Sequence, residues 1–140
     1  MTDVPQDPTQ LVHSTMPLCA HLGVRGERAD KDEVVLTMEW RPELCTIGGL
    51  LHGGAVMALA DSAGAVAAFL NLPEGAMGTS TISSSTSFLR GMKEGGVATA
   101  TSRVLHAGST TIAVETAVTD ADGKLVAKVT QTQAVLRPRS

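Results

Sequence analysis

Residues Val34 to Trp40 alternate, with Val34, Leu36, Met38 and Trp40 on one face and Val35, Thr37 and Glu39 on the other. Period-two alternation predicts a half-buried strand, and Arg41-Pro42-Glu43 ends it. From Leu51 to Leu70 the alternation gives way to a run rich in alanine and leucine, stopped by Pro73. That run is too long for a strand and predicts a helix. Ala55, Ala58, Ala60, Ala63, Gly64, Ala65, Ala67 and Ala68 surround it with small side chains. A helix with no polar face is expected to be buried, and thin side chains let a sheet approach it closely.

After Met77 the chain reads as strands. Thr79 to Leu89 is rich in Ser and Thr, Lys93-Glu94-Gly95-Gly96 turns the chain, and Val97 to His106 is a second run. Ala107-Gly108-Ser109 predicts a tight turn into Thr111 to Thr119, which sets Ile112, Val114, Thr116 and Val118 on one face. Asp122-Gly123 is a two-residue hairpin signal, and Leu125 to Leu136 closes the chain. Residues 1–17, with Pro5, Pro8 and Pro17, read as a loose arm with one helical turn around Leu11. The expected class is α+β: an N-terminal arm over residues 1–20, then a single domain over 21–140 in which one helix is followed by an antiparallel meander.

Composition narrows the function. The chain has 140 residues, 43% hydrophobic and 18% charged, with a formal net charge of -3. That excludes a disordered chain. Only 2% of residues are aromatic, and with no basic face either, nucleic acid is not an expected partner. Met1 to Gln10 has no basic n-region of a signal peptide, and Ala55 to Leu70 is short for a bilayer span and carries Asp61. Cys19 and Cys45 form no framework of disulfides and read as thiols of a reducing compartment. A cytoplasmic protein with no membrane partner is expected.

Candidate chemistry concentrates at the start of the long helix. Gly48-Gly49-Leu50-Leu51-His52-Gly53-Gly54 leads into it, and glycines there let a ligand approach free backbone N–H donors at the positive end of the helix dipole. Such donors could hold an oxyanion; the same glycines also suit tight packing. Asp61 is the only charge between His52 and Glu74. Either it has a partner in a buried setting or an exposed stripe carries it to water. Gly53 and Asp61 lie about 12 Å apart along a helix, too far to act on one carbonyl group. If both are used, they come from two chains. The four histidines, at 13, 21, 52 and 106, show no metal-ligand spacing, and neither a metal nor a cofactor is expected. Gly108-Ser109-Thr110-Thr111 with Arg90, Arg137 and Arg139 could make a small anion site.

Gly49 to Ala55, followed by Asp61 nine residues after His52, resembles the HGG-type hotdog-fold acyl-CoA thioesterases. The similarity is to the PaaI-like branch that includes a 4-hydroxybenzoyl-CoA thioesterase class. Ser87-Phe88-Leu89-Arg90, His106 to Thr111 and Ala134 to Arg139 resemble that class as well. The resemblance, covering roughly residues 34–140, implies a long helix wrapped by a curved antiparallel sheet. It also implies homodimers with shared active sites, and homotetramers made from them. By position, the Gly53 N–H would bind the thioester oxygen, with His52 beside it. Asp61 of the partner chain would be nucleophile or general base, and Thr81 would position water. Arg90, Ser109, Thr110 and Arg139 would bind CoA phosphates. Thr46 stands where the family usually has Asn or Gln, Asp61 where the 4-hydroxybenzoyl class has Glu, and Gly91 where proline often follows the arginine. The expected substrate is an aryl- or arylacetyl-CoA, or a short or medium acyl-CoA. The alternatives on the same fold are an enoyl-CoA hydratase or dehydratase and a non-catalytic acyl-CoA-binding protein.

Overall fold

The computed structural model describes residues 7–139, so Pro5 lies outside the described residues. The arm is helical rather than loose: α1 spans Pro8–Thr15 and α2 spans Pro17–Leu22. Asp7 starts α1 by accepting the Thr9 N–H at 3.0 Å, and Pro8 occupies the first turn, where its missing N–H costs nothing. Gly23, at φ 72°, ends α2 in the left-handed conformation. Val12 and Cys19 are fully buried, so both helices belong to the core, and the expected boundary at residue 20 falls inside α2. Helices this short give too few turns for a periodic pattern to stand out.

β1 (Arg25–Ala29) was not legible in the sequence; it is a polar strand paired with β2 (Val34–Glu39). β2 buries Val34, Leu36 and Met38 completely, as its alternation predicts. Two short 3-10 turns, Pro42–Leu44 and Ile47–Gly49, lead to the long helix α3 (Gly53–Leu70). The N–H of Asn71 caps α3 on the Ala68 carbonyl and that of Leu72 reaches the Phe69 carbonyl, and Pro73 prevents its continuation. α3 lays Val56, Leu59, Ala60, Ala63 and Ala67 against the sheet. It is not buried all round, as its composition suggested: Gly54, Met57, Asp61 and Phe69 stay exposed along one stripe. At 18 residues it also reaches the length of a short membrane span, but half of it is buried within the domain, as a core helix is.

The remaining strands are β3 (Gly78–Phe88), β4 (Val97–Ala107), β5 (Thr111–Thr119) and β6 (Leu125–Leu136). All pairings are antiparallel and the order is β1-β2-β4-β5-β6-β3. This corrects the simple meander. β3 does not pair with β4; α3 carries the chain across the sheet, and β3 forms the far edge beside β6. Residues 89–96 then cross back to set β4 beside β2. The β5–β6 link also differs from the two-residue hairpin. Asp120 N–H reaches the Lys124 carbonyl, and Gly123, at φ 78°, supplies the left-handed residue of a three-residue loop.

One close approach sets the depth of the groove between helix and sheet. A Cβ placed on Gly64 of α3 would stand 1.7 Å from Gln131 Oε1 of β6, and Gln131 is only 1% exposed. Gly64→Ala would gain about 0.8–1.0 kcal/mol of helix propensity against about 1–3 kcal/mol for forcing a packed neighbour aside. The second effect is the larger. We expect Gly64→Ala to lose about 1–2 kcal/mol in denaturant unfolding; a higher midpoint would mean that Gln131 yields its place freely.

Candidate active site

The segment before α3 is tied down on both sides. Gly48 and Gly49 adopt φ of 83° and 73°, a region that favours glycine. The Gly49 carbonyl accepts the Trp40 indole N–H at 2.9 Å. Leu51 N–H donates to the Met92 carbonyl at 3.0 Å and His52 N–H to the Leu44 carbonyl at 2.8 Å. His52 is the cap of α3, its Nδ1 accepting the Gly54 N–H at 2.8 Å. Its carbonyl takes the N–H groups of Ala55 and Val56 at 2.9 and 3.2 Å. A helix starts with four unpaired N–H groups, and three of them are now used. Among the described residues the Gly53 N–H has no hydrogen-bond partner, and it stands at the positive end of an 18-residue helix. The Phe88 ring lies over Gly53, where a Cβ would meet Cζ at 3.1 Å.

Asp61 sits on the exposed stripe of α3, so the partnered and solvent-reaching readings both hold. Its Oδ1 accepts the Thr81 hydroxyl of β3 at 2.9 Å and the Gln131 amide N–H of β6 at 3.0 Å. Gln133 Nε2 donates to Thr81 Oγ1 at 2.6 Å. Gln131 and Gln133 are buried and were missed by the sequence reading. The available signal was two glutamines in the same alternation phase as Val129, on the inward face of β6. The Asp61 side is thus one hydrogen-bonded cluster, and the His52–Gly53 side is another. Thr46 joins neither: its N–H donates to the Leu50 carbonyl at 2.8 Å, and its exposed side chain bonds to no described residue.

Apolar grooves lie along the stripe on either side of Asp61. One, about 320 Å³, runs between α1 and α3 past Leu11, Met16, Val66 and Phe69. The other, about 270 Å³, runs between α2 and α3 past Leu18, Leu22, Ala58 and His52. Cys19, beneath, has its thiol pushed up by burial and by the Asp61 charge, against a lowering from Ser62. That shift keeps it mainly in the thiol form, the weaker nucleophile.

The proposed phosphate ligands divide into two groups. Arg90 N–H donates to Val126 at one end of β6. Thr110 accepts from Val135 N–H at the other end, where Arg137 donates to the Ser109 carbonyl at 3.0 Å, and Arg139 follows. Val126 and Val135 are about 30 Å apart along an extended strand. One chain therefore does not bring Arg90 together with Ser109, Thr110, Arg137 and Arg139 in the single anion site expected from them.

Residues 48–127 match the family described as the thioesterase superfamily. The chain is 36% identical over 118 residues to SSO2140 of Saccharolobus solfataricus, provisionally named an esterase, covering 84% of this chain and 82% of that protein. Among solved structures it superposes with a TM-score of 0.84 on a single-residue mutant of the thioesterase PA1618 of Pseudomonas aeruginosa. That match has 27% identity and covers 94% of this chain and 96% of the other. A hypothetical thioesterase of Streptococcus pneumoniae, solved with coenzyme A, matches at a TM-score of 0.74 and 27% identity, covering 84% and 88%. With its single long helix, its six-stranded curved antiparallel sheet and these relatives, the chain belongs to the thioesterase superfamily and is a thioester hydrolase of the hotdog fold.

Proposed function

We propose that the protein hydrolyses acyl-CoA thioesters, with an aryl, arylacetyl or short to medium acyl group, at sites shared between two chains. The observation that carries this reading is the pairing of an unspent N–H at Gly53 with a tethered, solvent-facing carboxylate at Asp61. The N–H would stabilise the oxyanion of the tetrahedral intermediate. Asp61 would attack the carbonyl carbon or activate water against it. CoA leaves as the thiol and the acyl group as the acid. The apolar grooves beside Asp61 supply surface for an acyl group, and the relative solved with coenzyme A supports the CoA moiety.

The geometry of β3 supports the shared site. Gly53 lies under Phe88 and Asp61 bonds Thr81, so the two groups meet the same strand at different points. β3 is an 11-residue edge with no charge and no proline, the kind of edge that pairs with another strand. In an antiparallel pairing of β3 with the same strand of a second chain, Asp61 of each chain would lie towards the partner's Gly53. By family resemblance such dimers would pair into tetramers.

Thiol release from benzoyl-, phenylacetyl-, short- and long-chain CoA thioesters tests the activity. Asp61→Asn keeps the shape and removes the charge, and kcat is expected to fall at least ~10²–10⁴-fold with KM little changed. Turnover by Asp61→Asn at the wild-type rate would remove the carboxylate from the mechanism. Gly53→Pro deletes the N–H, a loss on the order of 10²–10³ in kcat for one such donor. Co-expressed with Asp61→Asn chains, it should restore up to about a quarter of wild-type activity. About half of randomly paired dimers are mixed, and each has one intact site of two. No recovery in verified heterodimers would contradict sharing. Arg90→Ala is expected to raise KM for the CoA thioester and leave kcat, with no effect on a pantetheine thioester; equal losses on both would exclude a phosphate contact.

A further inference from the structure

The carboxylate of Asp61 has two oxygens, and the structure treats them differently. Oδ1 accepts both the Thr81 hydroxyl and the Gln131 amide, while Oδ2 has no partner among the described residues. A threonine hydroxyl carries a single proton. Gln133 Nε2 is only a donor, so at 2.6 Å it occupies a lone pair of Thr81 Oγ1. The hydroxyl proton must then point to Asp61 Oδ1. Reversing the Gln133 amide would aim its oxygen at Thr81 and draw that proton away. Reversing Gln131 would set an amide oxygen against a carboxylate oxygen. Both amides are held in the donating sense at a cost, because Gln131 Oε1 and Gln133 Oε1 are buried with no hydrogen-bond partner. A residue kept only to fill space would not need that unsatisfied oxygen, since Met fills the same volume without it.

We propose that Gln131 and Gln133 are positioning residues that make Oδ2 the reacting oxygen of Asp61. The inference rests on the reading of Asp61 as nucleophile or base. Two donors fix the plane of the carboxylate on the stripe of α3 and leave Oδ2 turned towards the substrate side. Gly64 permits this, because a side chain there would displace Gln131. The relay also redefines Thr81. Its one proton is committed to Asp61, so Thr81 can accept from a water molecule but cannot donate to it.

The test is a double-mutant cycle in the full-length protein, with kcat and KM measured on a thioester that the wild type hydrolyses. Gln133→Met and Thr81→Val are each expected to lower kcat about tenfold, the scale of one hydrogen bond to a charged group, with KM within about twofold. The double mutant should be no slower than Thr81→Val alone, because without a hydroxyl Gln133 has no proton to direct. In a Thr81→Ser background Gln133→Met should again cost about tenfold. Unchanged kcat in Gln133→Met, or losses that multiply in the double mutant, would overturn the proposal. If Gln133→Met does not fold, Gln133→Glu gives a second reading. Protonated, the introduced carboxyl group donates to Thr81 as the amide does; ionised, it accepts and reverses the relay. Its kcat should therefore fall as pH rises, relative to wild type, and a pH profile parallel to wild type would overturn the relay. Asp61→Asn is run alongside. If it is inactive while Gln133→Met is unimpaired, only the positioning role falls; if it is fully active, both readings fall.

Discussion

The domain depends on how closely α3 lies on its sheet. A helix can approach strands this closely only if its contact face is made of Ala, Gly and Ser, and the buried face of α3 carries Ala60, Ser62, Ala63, Gly64, Ala67 and Ala68. Leu59 and Val56 supply the larger anchors. The approach has a chemical result: glutamine amides on the inward face of β6 can reach a carboxylate on the flank of the helix. A charge in so apolar a helix would be costly if it were enclosed without partners. Here Asp61 is satisfied on its sheet side and wet on the other.

The start and the middle of α3 carry different groups. At its start His52 and the Leu44 carbonyl take up three of the four free backbone donors and leave the one at Gly53. Two turns further on, side chains from β3 and β6 converge on Asp61. The short helices α1 and α2 run along the stripe between and beyond these points and turn an open apolar surface into grooves. An N-terminal segment that reads as a polar arm thus forms a wall of the site.

Much of this was legible in the sequence, and the failures have physical reasons. β5 follows a strict period-two pattern and its inward face is correct residue by residue; in β2 Val34, Leu36 and Met38 face inward as expected, though Thr37 is buried as well and Trp40 lies beyond the strand. The motif from Gly49 to Ala55 and the lone Asp61 stand out because glycine freedom and an isolated charge have few explanations. α2, β1 and the full extent of α1 escaped, beyond the one turn expected around Leu11, because each is short, and the helices take stability from tertiary contacts such as Val12 and Cys19 rather than from their own periodicity. The place of β3 escaped for another reason: strand order is a long-range property, and turn signals such as Lys93-Glu94-Gly95-Gly96 record that the chain turns, not where it goes. Gln131 and Gln133 were hidden by their chemistry, since glutamine in a strand ordinarily marks the outward face. Only the phase shared with Val129 betrays them.

The position of β3 also has a consequence for how the chain assembles. β3 is made soon after α3, but among the described residues it pairs only with β6, which follows it by some 40 residues. The contacts that complete the carboxylate cluster span 70 residues between Asp61 and Gln131 and 52 between Thr81 and Gln133. Contacts this distant in sequence close loops at high entropic cost and form late. Until then a long uncharged strand rich in Ser and Thr waits with both edges bare, at risk of pairing with a neighbouring chain in the wrong register. The carboxylate cluster is therefore complete only once β6 has docked beside β3.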